Sequence, residues 1–315
     1  MSAEAQLVFA CFAGIVRHHV RGEDEEDGRA LAERGRGILL DAHRRLSRFD
    51  PDSELCRLNR DPRAEVPASP LMRRLAGAVR EAGFRSGGLV DATLLDAIQE
   101  AGYADSLVTD RPSPLSRSML SAHQAAPARP NPAADWCAIR VDERAGTVIR
   151  PPGVMIDSGG IAKGLMADIV GEVLEESRTF AVDCCGDLRL GGRSGFRRKV
   201  RVDDPFGAEP LHEISLSEGA IATSGISRRC WSGPGGRPAH QILDPLTGRP
   251  AFTGILQATA VAPNALLAEI LAKSALLSGP EEAADWLPFG GVLVPFDGEH
   301  EVIPARHGHS EPLPA

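Results

Sequence analysis

From Trp136 to Val294 the chain is a series of short, apolar, strand-like runs cut by glycine turns, with only two long helical stretches among them. CAIRVD and GTVIRP read as a strand pair joined by the turn Glu143 to Gly146. FAVDCCGDLRLGG, KVRVDDP, LHEISLSEGAIATSG, HQILDP and GVLVPFDG follow as further strand pieces. Residues 160–177 carry Ile161, Leu165, Ile169, Val173 and Leu174 on one helical face, and residues 265–278 form an apolar helix stopped by Gly279-Pro280. Strands and helices are mixed rather than strictly alternating. That order predicts an α+β fold with a largely antiparallel sheet, not a doubly wound parallel one.

The amino-terminal third supplies more helix. Leu31, Ile38, Leu39, Ala42 and Leu46 recur at helical spacing over 29–46. Residues 69–84 form a second helix, with Ser69 as N-cap and Pro70 at its first position. SGGLVDATLLDAIQEAGY is a glycine turn running into a helical stretch. Residues 104–135, rich in Pro, Ser and Ala, are expected to be a mobile surface excursion, and 305–315 a polar tail, on one domain spanning 1–304. The apolar run from Leu7 to Val16 ends in Arg17-His18-His19 without a cleavage site and is too short to cross a bilayer as a helix. It reads as a buried strand, and the expected location is the cytoplasm with no membrane anchor.

Composition narrows the function classes. At 43% hydrophobic the 315-residue chain can bury a large core, and a net charge of −8 argues against a surface made for nucleic acid or anionic lipid. Its six cysteines are too few for a disulfide scaffold and show no metal-type pairing, which suits reduced thiols. Of 35 basic residues only Lys163, Lys199 and Lys273 are lysines. Where lysine persists in an arginine-using chain, a compact ammonium is the feature to examine.

Four short segments carry chemistry-bearing residues. In IDSGGIAKG, Gly159 and Gly160 open a helix whose free N–H groups, with Lys163, suit an anionic oxygen; the plain alternative is a strand-to-helix turn bearing an exposed lysine. In HQILDPLTG, strand alternation puts His240 and Asp244 on one face, as an acid/base pair or as a hydrogen-bonded structural histidine. AIATSG is a small-residue turn whose hydroxyls bind phosphate or cap a helix. LVDATL, with Asp91 and Thr93, is a helix cap or part of a site.

Taken together and in order, SRFDPDSELCRLN, LVDATL, IDSGGIAKGLMAD, CGDLRLGG, AIATSG, HQILDPLTGRP and AEILAKSALLSG resemble the flavin transferases of the ApbE family, the FAD:protein FMN transferases. The resemblance runs from about Phe9 to Val294. It implies a two-lobed α+β fold with FAD in a cleft. It implies a reaction in which a Thr or Ser hydroxyl of an acceptor protein attacks the FMN-side phosphorus and AMP leaves. By this resemblance Ser47, Arg48 and Phe49 lie by the flavin nucleotide, with Asp91 and Thr93. Gly159, Gly160, Ala162 and Lys163 lie close to the pyrophosphate, with Thr223, Ser224, Gly225 and Arg229, and His240 with Asp244 forms the base or orienting pair. A cytoplasmic member needs a cytoplasmic acceptor, such as a reductase with an FMN-binding domain. The rival readings are an FAD pyrophosphatase and a non-catalytic FAD-binding module.

The chain departs from the family in three places. Phe12-Ala13-Gly14 replaces Met-Gly-Thr, and Cys185 replaces a glycine of a Gly-Gly-Asp turn. The family's Mg²⁺ ligands are a backbone carbonyl matching Ala162 and side chains matching Glu269 and Lys273. Glu269 is a hard oxygen donor, whereas a charged Lys273 has no lone pair to give. Either the Lys273 ammonium partly replaces the metal's charge, or a displaced Mg²⁺ persists, or the two residues are only an i,i+4 ion pair.

Overall fold

The computed structural model describes residues 4–103, 125–297 and 299–306. It opens with a hairpin, β1 (Ala5–Cys11) and β2 (Gly14–Arg21). The apolar run predicted as one strand therefore turns back on itself at Phe12 and Ala13, which both take left-handed backbone, φ 50° and 54°. No glycine or asparagine marks this turn, so the usual two-residue hairpin signal is missing.

Helix α1 (Glu25–Arg45) follows, capped by Asp24, with Glu25, Glu26 and Asp27 in its first turn and His43, Arg44 and Arg45 in its last, the arrangement its dipole favours. It begins four residues earlier than the apolar spacing indicates, because its first turn is all acid and shows no periodicity. Next come α2 (Glu54–Arg60), β3 (Glu65–Pro67), α3 (Pro70–Arg85) and the short α4 (Leu95–Glu100). Strands β4 (Arg140–Asp142) and β5 (Thr147–Ile149) pair with each other, and β5 also pairs with β3. Residues 104–124 of the expected excursion lie outside the described residues. The rest is tied down in part, Ala126 and Ala128 donating backbone bonds to Phe252 and Leu277.

The carboxy-terminal half holds α5 (Ala162–Leu174), β6 (Thr179–Cys184), β7 (Asp187–Gly191), β8 (Arg198–Asp203), β9 (Pro210–Leu216) and β10 (Gly219–Gly225). After them come β11 (Cys230–Ser232), β12 (Pro238–His240), β13 (Leu243–Asp244), β14 (Arg249–Pro250), β15 (Ile255–Ala262), α6 (Ala265–Ser278), β16 (Gly291–Pro295) and β17 (Glu301–Ile303). Among the described residues, eight strands form one sheet in the order β1-β2-β6-β7-β10-β15-β16-β17. Every neighbouring pair is antiparallel.

Helices α1, α5 and α6 cover one face of this sheet. The period-2 alternation of the strands separates the faces. In β2, Val16, His18 and Val20 are fully buried, whereas Ile15, Arg17 and His19 look out on the opposite face. Helix α6 is apolar all round because it is enclosed all round: Lys273 alone in it is not buried.

Two carboxylates lock α5 and α6 together. Asp168 of α5 accepts the N–H groups of Ala265 and Leu266 at 2.7 and 2.8 Å, capping α6. Glu269 of α6 accepts the Gly164 N–H at 2.9 Å in the first turn of α5. The helices approach so closely there that a Cβ at Gly164 would stand 2.6 Å from the Ala265 carbonyl oxygen.

Candidate active site

A cavity of about 1640 Å³ opens over the face of the sheet that the helices leave free and reaches the first turn of α5 and the Glu269–Leu277 part of α6. Its floor is the outward set of strand residues, among them Arg17, Asp183, Leu188, Ile221, Thr223 and Gln257. The β8–β9 hairpin contributes Arg198 to Asp203, and the connections after α1, before α4 and before α5 supply further walls. Those connections are tied to one another. Ser158 Oγ donates to the Leu46 carbonyl at 2.8 Å, Asp157 N donates to the Ala92 carbonyl at 2.8 Å, and Asn59 exchanges two bonds with the backbone of Ile156. Three segments far apart in sequence thus converge on one wall.

On this wall stand Ser47, Arg48 and Phe49. The Arg48 guanidinium lies 4.2 Å from the Tyr103 ring centre and 4.7 Å from that of Phe49, and Trp231 packs behind Tyr103 at 5.1 Å. Arg48 is only 6% exposed, and its Nη1 and Nη2 have no hydrogen-bond partner. Asp91 uses Oδ1 to accept from both the backbone and the hydroxyl of Thr93, while its Oδ2 is buried and unpartnered. Burial pushes the Asp91 pKa up against the pull of those two bonds. Orphaned donors and an orphaned acceptor beside an aromatic platform fit a planar, hydrogen-bonding ligand. Thr93 itself points back to Asp91 and is not in the cavity wall.

Next to this platform is the start of α5, Asp157 Oδ1 lying 3.9 Å from Arg48 Nε. Ser158, Gly159 and Gly160 form a 3₁₀ turn capped by Asp157, so regular α-helix begins later than the sequence suggests, at Ala162. The first turn of α5 has no side-chain N-cap within its own segment. A Cβ at Gly160 would meet nothing within 4 Å, so the protein's own packing does not demand glycine there; the space opens on the cavity.

Below this turn sit two acids and two bases. Lys163 Nζ contacts Asp187 Oδ2 and lies 3.6 Å from Glu269 Oε1, and Lys273 Nζ lies 2.7 Å from the same Glu269 oxygen. Both carboxylates are 1% exposed, whereas Lys163 and Lys273 are 17% and 15% exposed; the two lysines and Glu269 border the cavity, and Asp187 does not. Burial opposes the Lys163 charge, but Asp187 and Glu269 more than offset it and hold the ammonium protonated. Burial likewise resists ionisation of Glu269, yet Lys273 and Lys163 keep it below the usual carboxylate range. Asp187, raised first by burial and then by the Glu269 charge, is pushed up to about 7. Lys163 is therefore not the exposed lysine of the sequence reading. Asp187 was overlooked there; a lysine at a buried helix start needs a counter-ion, and CGD holds the acid that reaches it.

The remaining expected residues divide. Thr223, Ser224 and Gly225 are in β10 rather than in a turn, and all three reach the cavity, Thr223 sharing a 2.9 Å hydroxyl contact with Thr259. Arg229 also borders it and donates to the Phe12 carbonyl at 3.3 Å. His240 and Asp244 are not on one strand face. The chain breaks between β12 and β13, because the His240 ring turns back to accept the Ile242 N–H at 3.3 Å. His240 is wholly buried, edge-on to Phe252, and Asp244 accepts from Leu246 and Thr247 of its own turn and from the distant Arg129 backbone N–H. Neither lines the cavity, whereas Gln241, Ile242, Leu243 and Pro245 between and beside them do.

The family's Mg²⁺ is not matched by the donors present. Both Glu269 oxygens are engaged, one by ammonium and one by the Gly164 N–H, and Lys273 offers no lone pair. Among the described residues no group of three or more His, Cys, Asp or Glu side chains could hold a metal ion. None of the helices described is long and apolar enough to cross a membrane.

The comparisons agree with this architecture. The sequence matches the family described as the ApbE family over residues 16–292. The FAD:protein FMN transferase of Haemophilus influenzae is 25% identical over 283 residues, which are 85% of this chain and 79% of that protein. The enzyme of the same name from Treponema pallidum is 30% identical over 176 residues, 49% of this chain and 48% of that protein. Among solved structures, the ApbE protein of Thermotoga maritima matches with a TM-score of 0.76 at 25% identity, covering 95% of this chain and 97% of its own. Apo flavinyl transferase ApbE of Pseudomonas stutzeri matches with a TM-score of 0.74 and 96% coverage of both chains; at 20% identity this likeness bears on the fold alone.

Proposed function

Because the chain belongs to the ApbE family, we propose that it is an FAD:protein FMN transferase, moving FMN from FAD onto a Thr or Ser hydroxyl of an acceptor protein. The observation that carries this reading is the layout of the cavity. A guanidinium–aromatic platform with orphaned polar atoms stands beside a helix N-terminus with two ammoniums, joined to it through Asp157. A flavin dinucleotide has the matching sequence of a planar, hydrogen-bonding ring and a dianionic pyrophosphate.

In the reaction the acceptor oxygen forms a new bond to the FMN-side phosphorus as the bond to the bridging pyrophosphate oxygen breaks. The acceptor becomes a phosphodiester, AMP leaves as a dianion and one proton is released. Negative charge grows on the departing phosphate, so catalysis is chiefly positioning and cationic stabilisation. Lys163 and the open first turn of α5 supply both. Arg48 and Asp91 orient the ring end. His240 acts from behind the wall, fixing the Gln241–Leu243 segment, as a positioning residue and not as the base that touches the hydroxyl.

We place the enzyme in the cytoplasm, in keeping with its six free cysteines, with an acceptor that carries an FMN-binding domain. The test is incubation with FAD in the presence and absence of such an acceptor. Acceptor-dependent AMP release together with an acceptor heavier by one FMN supports transfer. Equal AMP release without acceptor marks a pyrophosphatase, and FAD retention without AMP marks a binding module.

A further inference from the structure

We infer that the ammonium of Lys273, held by Glu269, takes over the place and task of a divalent cation, so that this chain binds and turns over FAD without metal. The inference rests on the FMN-transferase reading for its reaction but not for its geometry. Glu269 and Lys273 are the charged residues of a helix that is otherwise buried and uncharged. An ornamental surface pair would not be placed there, since two charges inside an apolar helix cost desolvation that only close contact offsets. The contact is close, 2.7 Å, and the second Glu269 oxygen is fixed by the Gly164 N–H at 2.9 Å. The carboxylate therefore works as a strut: it ties Lys273 to the first turn of α5, beside the second ammonium, that of Lys163.

The four groups are layered. Asp187 lies behind the wall and Glu269 reaches the cavity with only 1% exposure, whereas the ammoniums border it at 15% and 17%. The cluster is formally neutral, yet the face it turns to a ligand is positive and preorganised, which is what a pyrophosphate losing AMP requires. A divalent cation approaching Glu269 from the cavity meets a carboxylate oxygen already shared by two ammoniums. It would have to displace Lys273 from Glu269 to bind.

The experiment has one arm that is independent of activity. Mn²⁺ is titrated into wild-type protein and into Lys273→Thr, with bound ion read by electron paramagnetic resonance. FAD affinity and acceptor-dependent AMP release are then measured with EDTA and with Mg²⁺. Wild type is expected to take up no stoichiometric Mn²⁺, and its FAD affinity and rate should agree within about twofold between EDTA and Mg²⁺. Lys273→Thr removes the ammonium and adds a hydroxyl donor. It is expected to lose about a hundredfold in rate in EDTA, to bind one Mn²⁺, and to recover in Mg²⁺. Lys273→Arg retains charge and should stay insensitive to EDTA. One tightly bound Mn²⁺ in wild type, or FAD binding that EDTA abolishes and Mg²⁺ restores, overturns the inference. Should Lys273→Thr not fold, the wild-type arms still decide. If flavin reaches no acceptor under any condition, the transferase reading fails, while the Mn²⁺ titration still answers the metal question.

Discussion

Lys163 and Asp187 make the sharpest residue-scale case. The ammonium serves the cavity on one side and neutralises a buried carboxylate on the other, so its removal has two consequences. Lys163→Ala should lower acceptor-dependent AMP release about a hundredfold and also destabilise the fold by about 3 kcal/mol, the cost of stranding a buried charge. Adding Asp187→Asn should recover most of the stability and none of the rate, as measured by denaturant unfolding and by AMP assay on the same samples. Equal stability of the single and double variants would show that Asp187 does not depend on Lys163. The lysine was legible in the sequence from its rarity and its place at a glycine-led helix start. Its partner was not, because Asp187 becomes a neighbour only when β6 and β7 fold back through Cys185-Gly186, whose φ angles are 58° and 100°.

Elements meet at a second polar joint, away from the cavity. Glu54 of α2 accepts the Ser69 N–H and hydroxyl at 2.9 Å each, so it caps α3 together with Ser69, and Arg45 at the end of α1 donates to the same carboxylate at 2.6 Å. Burial works against ionisation of Glu54, but the bonds from Ser69 and Arg45 outweigh it and hold the folded-state pKa below the ordinary 4.5. An acid with a depressed folded-state pKa stabilises at neutral pH, and that stability drains away as pH falls below 4.5 through the folded value. Glu54→Gln should cost about 1 kcal/mol at pH 7, and the gap from wild type should close on acidification, as followed by thermal melts across acid pH. A gap of constant size would mean that Glu54 acts by shape and not by charge. Two of the three elements joined here were readable: Ser69-Pro70 is an explicit helix start, and the apolar spacing of α1 and α3 is regular, whereas SRFDPDSELCRLN reads as a polar turn although it holds α2. Where boundaries escaped, a local signal was missing or misleading. The Phe12-Ala13 turn has no turn residue, the acid-rich first turn of α1 has no apolar period, and the small residues of β10 look like a loop until strands on both sides pair with them. His240 and Asp244 failed as a pair for the same kind of reason. Alternation assumes a continuous strand, and a side-chain bond to the Ile242 N–H breaks it.

At the scale of the molecule the cavity is a product of the whole chain. Phe12 and Leu277 both border it, with contributions from both sides of the sheet's midpoint and from connections that Asn59, Ser158 and Asp157 stitch together. The sequence order of motifs could name many of these contributors, yet it could not say which would face one another; that follows from the antiparallel register, as when Arg17 is set opposite Asp183. A site assembled in this way couples ligand binding to global stability, because unfolding any wall destroys it. FAD at about one hundred times its Kd should therefore stabilise the protein by about 2.7 kcal/mol and raise Tm by about 5 °C. We propose that the described residues unfold as one cooperative unit, so calorimetry should give a single transition that moves as a whole with FAD, its calorimetric and van't Hoff enthalpies agreeing. Two transitions, of which FAD shifts only one, would mean that the helical layer and the free-face cavity are separate units and that the site belongs to just one of them.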